Sequence, residues 1–558
     1  MTKKTRVGFL VNKFDCSEEV YRSIEHVASK NHFCDPVIIQ ISNMHAGGSW
    51  GERLQKSART KTWFGVLKYF FVIFLLRLIS RLERVFFSGR KNDVRVFDIR
   101  DIENIQVIEV QGDWSASGLV LRLFDEDVSM LKKMNMDCLV RCGSGILKGG
   151  ILKAPKHGVI SFHHGDNRVN RGGPAGFWEV LKREPSSGFI IQILSEELDG
   201  GAVVVRGNVM TANTWTSNRE RVLKKSNVFL LKLLDEIATT GQLPKSEDIV
   251  LHDRILYKIS SPKPLFKYIC VVWVSLIIQK ILSRLKLLKV SRWGVSYAWH
   301  DNFSKSLWRY KEIANPKDGF FADPFVSHFE QRDIIFLEDF NYTEGKGKIS
   351  AVEINFGEEK NLGVVLEEDF HLSFPFVFEE SGKLFMVPES HEARQIRLYE
   401  CINFPMEWRL KQVLMENVCA ADSMLIRHDG FWYLFANICS ADLADHNSEL
   451  HIFYSKHFMS NDWQPLKFGN PVIFDSRRAR NGGFFEANGK KFRVNQVHKK
   501  AHYGWAFEVN EITKLGPGGY EEKKVETVMP YFKDNIVGTH HFSANAMIAT
   551  IDFCVKEK

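Results

Sequence analysis

The sequence has few cysteines and no pattern among them. Nine cysteines are scattered over 558 residues, from Cys16 to Cys554, and none belongs to a CxxC pair or to a Cys/His metal spacing. This excludes a disulfide framework and a structural zinc site, and it favours a reducing compartment. We therefore expect a cytoplasmic chain that holds no metal.

Long uninterrupted apolar runs are also missing. The start, MTKKTRVGFLVNKFD, has too short an apolar run for a signal peptide and predicts a first strand instead. Two later segments, WFGVLKYFFVIFLLRLISRLERVFF and PLFKYICVVWVSLIIQKILSRLKLLK, are apolar and aromatic but are interrupted by Lys and Arg. We expect neither segment to span a membrane.

The same two segments concentrate positive charge. Arg77, Arg81 and Arg84 recur at helical spacing in the first, and Lys280 and Arg284 lie in the second. Aromatic, basic helices of this kind are typical of the surface of an anionic membrane, although core helices with solvated basic ends are the other interpretation. No recognised nucleic-acid module accompanies the net charge of +8. We therefore expect the chain to bind the anionic inner face of a membrane and not to bind nucleic acid.

At 558 residues the chain is too long for one ordinary domain. Residues 1–250 alternate strand-like runs, such as RVGFLV and DCLVRCG, with helical patterns, such as SEEVYRSIEHVASK. This alternation predicts an α/β domain with a parallel sheet. Residues 61–90 are interpreted as a basic amphipathic insertion into this domain. Residues 251–295 are interpreted as a basic amphipathic connector, and residues 296–558 as a third, strand-rich region.

The stretch GVISFHHGDNRVNRGGPAGFWEVL brings polar side chains to the end of a predicted strand. Ligands bind at the carboxyl ends of strands in parallel sheets, so we expect a site here. His164, Asn167 and Arg171 are its candidate substrate-binding residues. Two interpretations of Arg171 stay open, namely contact with a phosphate or carboxylate and a surface ion pair.

Residues from about 135 to 205, from this stretch to the ELDGG turn, resemble the catalytic domain of the formyltransferase family. The resemblance implies a Rossmann-like fold and formyl-tetrahydrofolate as the donor. It also implies that His163 is the oxyanion donor or acid/base group and that Asp199 is the carboxylate that orients it. Ser161 occupies the position of the family's asparagine, as a supporting hydrogen bonder, and this change leaves the identity of the donor open. A structural role for His163 or Asp199 is the alternative.

The third region has an internal repeat. Each unit consists of a small or acidic residue, an apolar strand, a turn and a second apolar strand, and the units read ADPFVSHFEQRDIIFLED, SFPFVFEESGKLFMVPE, AADSMLIRHDGFWYLFAN, NGGFFEANGKKFRVNQ and THHFSANAMIATID. Roughly fifty to sixty residues separate successive units, which is the size of a propeller blade. Five units predict a five-bladed β-propeller, since closure removes exposed sheet edges.

FADPFVS and AADSMLIRHDGFWYLF resemble the first and third blade signatures of furanosidase-type glycoside hydrolases. The region is closer still to the propeller-like part of plant glucosamine inositolphosphorylceramide transferases. The resemblance implies that Asp323 and Asp422 face a central funnel, although Asp before Pro is also common in turns. ARNGGFFE stands where the glycosidases carry a further acid, so we expect no hydrolase, and its glycines leave Arg480 free to meet a phosphate or uronate. The substrate-binding candidates are Asp323, Asp422, Glu389 and Arg480, with Glu338, Arg394, His540 and His541 as further funnel residues.

Together these observations predict an α/β plus all-β chain, with a formyltransferase-like domain followed by a five-bladed propeller. The main hypothesis is a transferase that moves a formyl or related acyl group to an amino sugar in surface polysaccharide or glycolipid biosynthesis. His163, Asp199 and Ser161 would act, while the propeller binds a sugar nucleotide or lipid-linked sugar. Two alternatives stay open: glycosyl transfer with its chemistry at Asp323 and Asp422, and a non-catalytic carbohydrate-binding scaffold.

Overall fold

A computed structural model describes most of the chain, which forms two compact units, Met1–Leu276 and Ile277–Lys558. The described residues are 4–42, 63–87, 95–115, 119–143, 145–169, 171–197, 200–247, 256–285, 290–299, 306–355, 358–440, 445–467, 469–499 and 502–557.

The first unit is built on a seven-stranded sheet. In spatial order its strands are Ala202–Met210, Ser186–Ile193, Val159–His163, Cys138–Arg141, Val7–Val11, Val37–Ile41 and Gln106–Val110. The last five run parallel and the first two antiparallel. The alternation of strands and helices in the sequence therefore predicted the parallel part of the sheet correctly. Parallel strands are apolar because helices cover both faces of their sheet.

Small β elements and helices complete this unit. The short strands are Gly112–Trp114, Val120–Leu123, Ile146–Leu147, Asp15–Cys16, Phe97–Asp98, Arg171–Gly172 and Leu256–Tyr257. The helices are Glu18–Ser29, Trp63–Phe86, Asp125–Lys133, Phe177–Lys182, Trp215–Thr240 and Lys263–Tyr268. The last continues through a π turn, Ile269–Trp273, into Val274–Arg284, whose residues after Leu276 belong to the second unit. The long helix Trp215–Thr240 ends at Gly241, whose φ of 68° and N–H to the carbonyl of Ile237 form a left-handed cap.

Two of these helices, Trp63–Phe86 and Lys263–Tyr268 with its π turn, share an apolar core. Val72 and Ile79 of the first pack in one cluster with Leu265 and Val272 of the second. The continuous helix Lys263–Arg284 has 22 residues and contains an 18-residue stretch with a mean hydropathy of 1.8, so by length and composition alone it could cross a membrane. Lys267 and Lys280 interrupt its apolar run, and the expectation that neither segment spans a membrane stays a prediction.

The second unit consists of antiparallel sheets. Sheet I contains Gly319–Phe329, Arg332–Asn341, Lys346–Asn355 and Glu358–Leu366. Sheet II contains Ser373–Glu380, Lys383–Glu389, Gln395–Asn403 and Glu407–Glu416. Sheet III contains Ala420–His428, Phe431–Ile438, Glu449–Ser455, Gln464–Pro465 and Ile473–Phe474. The first two strands of each sheet are those that the repeat predicted.

The fourth and fifth repeat units lie in one nine-stranded sheet, sheet IV. Its strands are Asn481–Ala487, Lys490–Lys499, His502–Gly516, Gly519–Val528, Ile536–Gly538, Phe542–Ala544, Ile548–Glu557, Val290–Trp299 and Lys311–Ile313. A single residue pair, Phe485 with Ala544, joins the two halves. The last strand pairs along its length with Val290–Trp299, the first strand of the unit. The five-bladed arrangement itself stays a prediction.

The predicted boundaries of the connector differ from those of the structure. Residues 256–276 lie in the first unit, where Leu256–Tyr257 pairs with Arg171–Gly172. The predicted start of the third region at 296 falls inside the strand Val290–Trp299. Hydropathy alone could not place these limits, since they depend on which strand and which core the segment joins. Residues 61, 62, 88–90 and 286–289 of the two basic segments lie outside the described residues.

Candidate functional site

The first strand of each sheet in the second unit is irregular at an equivalent point. Between the first two strands of sheets I, II and III the register shifts once, and inside these shifts Asp323, Phe374 and Asp422 have φ values of 49°, 46° and 47°. Sheet IV shifts between Asn481 and Gly483. A bulge re-aims its side chain, and a positive φ strains any residue with a Cβ atom. The side chains of Asp323 and Asp422 therefore depart from the normal alternation of side chains along a strand, at the cost of local backbone strain.

A second set of equivalent positions lies on the neighbouring strands. The residue before each bulge pairs with a polar residue, which is Glu338 in sheet I, Glu389 in sheet II, Asn437 in sheet III and Asn495 in sheet IV. In the last hairpin Asp552 has this place, because its N–H donates to the carbonyl of His541. All five side chains are at most 8% exposed. Three of these five equivalent positions, Glu338, Glu389 and Asp552, are therefore buried carboxylates.

Asp422 is held by a guanidinium. Nε of Arg480 lies 2.7 Å from its Oδ2, and Nη2 lies 3.4 Å from Oδ1. The side-chain amide of Gln496 donates to the same Oδ2 at 3.1 Å, and that of Asn481 donates to the backbone carbonyl of Asp422. Burial raises the pKa of Asp422 against the attraction of Arg480, and the charge of Glu389 raises it further.

Glu389 contacts the same pair from sheet II. Its Oε2 accepts the backbone N–H of Asp422 at 3.3 Å and lies 3.7 Å from Nη2 of Arg480. Its Oε1 lies 2.7 Å from Nδ1 of His391. Burial by itself raises the pKa of Glu389, but the hydrogen bond from His391 and the charge of Arg480 outweigh burial and hold the pKa below its usual range. Arg480 is therefore the counter-charge that Asp422 and Glu389 share.

Asp323 has weaker partners than Asp422 and Glu389. Its Oδ1 is buried and has no hydrogen bond within the described part of the chain. Nε2 of His540 and Nδ1 of His541 lie 3.7 and 3.6 Å away. Burial raises the pKa of Asp323 to about 6, with His540 opposing the shift and Asp552 adding to it. A carboxylate with such a pKa can both accept and release a proton near neutral pH.

His540 is oriented by Asp552. The Asp552 carboxylate contacts Nδ1 of His540, and its Oδ1 accepts the backbone N–H groups of His540 and His541 at 2.9 Å each. The imidazole stacks on Trp293 with 4.1 Å between ring centroids. Burial lowers the pKa of His540, but the charge of Asp552 outweighs burial and raises it. The charge of Asp552 thus favours the protonated imidazole from the Nδ1 side, while Nε2 lies 3.7 Å from Asp323.

An aromatic ring lies beside these charges. Tyr503 is 43% exposed, and the guanidinium of Arg480 lies 5.2 Å from its ring centroid. The ring also stacks on His498 and meets His540 edge-on. An exposed aromatic edge next to buried polar groups suits the binding of a sugar ring, which has apolar faces and polar edges.

Asp323, His540 and Asp552 offer ligand atoms within 4.8 Å of one another, close enough to hold a metal ion. Nδ1 of His540, Oδ2 of Asp552 and Oδ1 of Asp323 are buried and form no hydrogen bond within the described residues. Imidazole nitrogen and carboxylate oxygen are both metal ligands. The expectation that the chain holds no metal therefore stays a prediction.

The structure brings most of the predicted funnel residues together and changes what two of them do. Arg480 is bound to Asp422, so the prediction that it is free to meet a phosphate or uronate was wrong. Glu338 and Glu389, from sheets I and II, bring two further buried carboxylates to the second unit. Arg394 closes the turn His391–Ala393 with a φ of 53°.

Sequence reasoning missed Asp552, Gln496 and Tyr503. A usable signal existed for the first, since Asp552 is a lone acid in the apolar strand IATIDFCV. Gln496 directly follows Asn495, the buried polar position of sheet IV, in the segment FRVNQ. Nothing in the local sequence distinguishes Tyr503, because its role depends on Arg480 from another strand.

The predicted site of the first unit is only partly described. Ser161 and His163 lie at the carboxyl end of Val159–His163, as expected, and Oγ of Ser161 lies 3.2 Å from Nη1 of Arg141. The ring of His164 stacks on Phe162, and burial, together with His163 and Arg219, lowers the pKa of His164 to about 4. The position of Asp199 falls outside the described residues.

Two predicted substrate contacts in this unit have other neighbours. Oδ1 of Asn167 accepts a hydrogen bond from Nη1 of Arg206 at 3.0 Å. Arg206 also forms ion pairs with Asp166 and Glu247, so Asn167 belongs to a structural ion-pair network. The backbone of Arg171 pairs with Leu256, and its side chain is outside the described part of the structure.

Comparison with known proteins gives one family match. Residues 309–542 match the family model described as "Glucosamine inositolphosphorylceramide transferase 1, N-terminal". The protein of that name from Arabidopsis thaliana is 34% identical over 240 residues, which are 41% of this chain and 31% of the relative. That from Oryza sativa subsp. japonica is 33% identical over 229 residues, 38% of this chain and 29% of the relative. The chain thus spans about a third of the length of these relatives.

Solved structures give more distant likenesses. An α-L-arabinanase from Cellvibrio cellulosa, complexed with arabinohexaose, is 13% identical with a TM-score of 0.29, covering 36% of this chain and 77% of that one. A glycinamide ribonucleotide transformylase from Symbiobacterium toebii is 12% identical with a TM-score of 0.26, covering 46% and 95%. At these values neither likeness bears on what the chain does. The family match, in contrast, spans Asp323, Glu389, Asp422, Arg480 and His540, and it stops ten residues before Asp552.

Proposed function

We propose that this chain is a transferase that acts on a lipid-linked sugar in glycolipid biosynthesis, and that its chemistry is glycosyl transfer at the carboxylates of the second unit. The observation that carries the proposal is the set of buried carboxylates that the family match covers, with Glu389 and Asp422 around Arg480 and Asp323 beside His540. The matched relatives are named as transferases of a glycolipid, which supports the same direction.

The geometry suits the proton movements of glycosyl transfer. The acceptor hydroxyl loses a proton as its oxygen bonds to the anomeric carbon, while the bond from that carbon to the leaving group breaks. Asp323 takes the proton, since its Oδ1 has no hydrogen bond within the described residues, and His540, 3.7 Å away, stabilises the charged carboxylate before the transfer. Glu389 supplies a fixed negative charge for the cationic character that develops on the sugar.

A five-bladed propeller would place these groups around one axis. The equivalence of the bulge positions, and of the buried polar positions beside them, supports that arrangement. So does the pairing of the first strand of the unit with the last, which is the way a propeller closes. In this arrangement Asp323 and Asp422 reach the axis from the first and third blades.

Peripheral contact with the inner face of a membrane fits a lipid-linked or nucleotide-linked sugar substrate. The helices Trp63–Phe86 and Lys263–Arg284 expose large apolar side chains, including Phe64 at 83% and Ile281 at 50%. Lysines and arginines accompany them, as on helices that lie at an anionic membrane surface. The cytoplasmic location rests on the scattered cysteines alone.

Formyl transfer by the first unit is the second candidate function. The parallel sheet and the position of His163 at a strand end favour it. The described residues fit formyl-tetrahydrofolate poorly, because Ser161 replaces the amide donor and contacts Arg141, while Asn167 is engaged with Arg206. We therefore derive no step through that cofactor.

One experiment separates the two candidates. The purified full chain is given labelled sugar nucleotides and a membrane lipid extract, and label in the lipid fraction is measured for Asp323→Asn and His163→Ala. Glycosyl transfer in the second unit predicts that Asp323→Asn loses about 10²–10⁴ of the rate, as for removal of a general base, while His163→Ala retains it. Full activity in Asp323→Asn would overturn the proposal. Loss in His163→Ala, together with a requirement for formyl-tetrahydrofolate, would move the chemistry to the first unit.

A further inference from the structure

The strand order of the sheet in the first unit reverses at one point. From Val7–Val11 the chain adds two strands on one side, and then places Cys138–Arg141 and Val159–His163 on the other. All five strands run parallel, so their carboxyl ends share one edge of the sheet. In open α/β sheets ligands bind at this edge, where the strand order reverses. Arg141, the last residue of its strand, lies at this point.

Arg141 begins a row of polar side chains that crosses three adjacent strands. It pairs with Ser161, and Ser161 pairs with Gln192 on the next strand. Residues paired in this way share one face of the sheet, which here is the face that carries Leu139 and Val159 of the apolar core. Ser161 and Gln192 are 2% and 5% exposed. The apolar face of the sheet therefore ends in polar side chains, two of them almost fully buried.

The guanidinium of Arg141 has no ion pair within the described part of the chain. Nη1 donates to the hydroxyl of Ser161 at 3.2 Å, and Nη2 donates to the backbone carbonyl of Gly145. Both acceptors are neutral and occupy two of the five N–H donors of the side chain. Burial lowers the pKa of Arg141, and Cys142, which opposes this shift, is a neutral thiol because burial raises its own pKa to about 12. A positive charge held away from water is stable only with a negative partner, and none of the described residues supplies one.

The turn after Arg141 is packed too closely for side chains. A Cβ atom at Gly143 would clash with the side-chain carboxamide of Asn12, which follows the neighbouring strand. Gly145 has a φ of 96°, and a Cβ atom there would lie 2.8 Å from the ring of Trp114. The indole N–H of Trp114 is buried and has no acceptor among the described residues. Side chains from two other strands therefore enclose the turn, and one of them carries a second unsatisfied donor.

We propose that this edge of the sheet binds a small organic carboxylate, whose oxygens accept hydrogen bonds from the terminal nitrogens of Arg141. Arg141 and Trp114 both offer donors, so the ligand must supply acceptors. One guanidinium matches one carboxylate in a bidentate pair, whereas a phosphomonoester would bring up to two negative charges to a single positive one. The site lies in the first unit, and it is independent of the sugar chemistry proposed for the second.

The test measures thermal unfolding of the full chain with acetate, lactate or succinate at constant ionic strength. Acetamide is the neutral counterpart of acetate, and inorganic phosphate is the competing anion. Arg141→Gln removes the proposed anchor, and Trp114→Phe keeps the ring but removes its N–H. The matched control is Arg22→Gln, which removes the same charge from an exposed pair with Glu18 in the same unit.

We expect at least one of the carboxylates to raise the unfolding midpoint of the parent chain and of Arg22→Gln by about 3–6 °C, the shift for roughly tenfold saturation of a site. Arg141→Gln should lose this shift, Trp114→Phe should lose part of it, and acetamide should give none. A shift that persists in full in Arg141→Gln would overturn the proposal, as would the absence of a shift with all three carboxylates. A shift with phosphate alone that Arg141→Gln removes would make the site one for phosphate and overturn the assignment to a carboxylate.

The stability of the variants without ligand separates binding from a structural role. Arg141→Gln should unfold at nearly the same temperature as Arg22→Gln, because it removes a positive charge that lacks a negative partner. A midpoint lower by more than about 5 °C would show that Arg141 holds the strand ends together, and would overturn its assignment to a ligand.

Discussion

Nε of Arg480 lies 2.7 Å from Oδ2 of Asp422, although 58 positions separate the two residues. This contact joins the start of the fourth repeat unit to the bulge of the third. Arg480 therefore has a structural role, because its positive charge allows carboxylates from two sheets to lie within a few ångströms of each other.

Replacing Arg480 should therefore destabilise the second unit. Arg480→Gln leaves Asp422 and Glu389 buried without their counter-charge, and breaking a buried pair costs roughly 3–5 kcal/mol. The matched control is Arg477→Gln, whose ion pair with Asp475 is surface-exposed and worth about 0–1 kcal/mol. Urea unfolding of both variants measures the difference. Equal free energies of unfolding would show that Arg480 does not hold the carboxylates.

The raised pKa of Asp323 gives a pH dependence of stability with a defined sign. The folded state binds its proton up to about pH 6, whereas the unfolded state releases it near pH 4, so stability falls as the pH rises between these values. Asp323→Asn removes this loss, because asparagine is neutral and tolerates the positive φ. The variant should gain up to about 3 kcal/mol relative to the parent chain above pH 6, and little below pH 4. Thermal unfolding at several pH values tests this, and a constant difference would contradict it.

The contact between Asp552 and His540 should matter for rate more than for substrate binding. Asp552→Asn removes the charge that orients His540, and loss of such an orienting carboxylate costs up to about 10⁴ in kcat in serine proteases. We expect a large fall in kcat with KM little changed in the transfer assay. Asp333→Asn is the control, because Asp333 pairs with the exposed His328 at 2.9 Å. Similar activities of the two variants would remove His540 from the mechanism.

Glu83 should be required for the stability of the first unit. Four donors converge on its carboxylate, and Glu83→Gln turns an NH₂ group towards one or more of them. An unsatisfied buried group costs about 1–3 kcal/mol, and more when the group is charged. Glu220→Gln, which removes a partly exposed pair with Lys224, should cost about 0.3–0.5 kcal/mol. Denaturant unfolding compares them, and a cost for Glu83→Gln no larger than for Glu220→Gln would be inconsistent with this role.

Much of the local structure follows from the sequence. Alternating strands and helices predict the parallel part of the first sheet, because an apolar strand followed by an amphipathic helix has few other ways to bury its surface. The repeat predicts the paired strands of the second unit and singles out Asp323 and Asp422, because each occupies the same place in its unit. The period of a repeat is a local property, so the sequence contains it in full.

The composition of the site was decided by the tertiary structure. Glu338, Glu389 and Asp552 become equivalent only through strand register, which sets which residue faces each bulge. Arg480 looked free in the sequence because its partner lies in another sheet. Hydropathy likewise predicts the apolar helices but not the role of Glu83. In the sequence Glu83 is a charge that interrupts an apolar helix, whereas in the structure Tyr268, Trp273 and Thr216 donate hydrogen bonds to it. The physical reason is the same in each case: a buried charge is stable only with partners, and those partners come from distant parts of the chain.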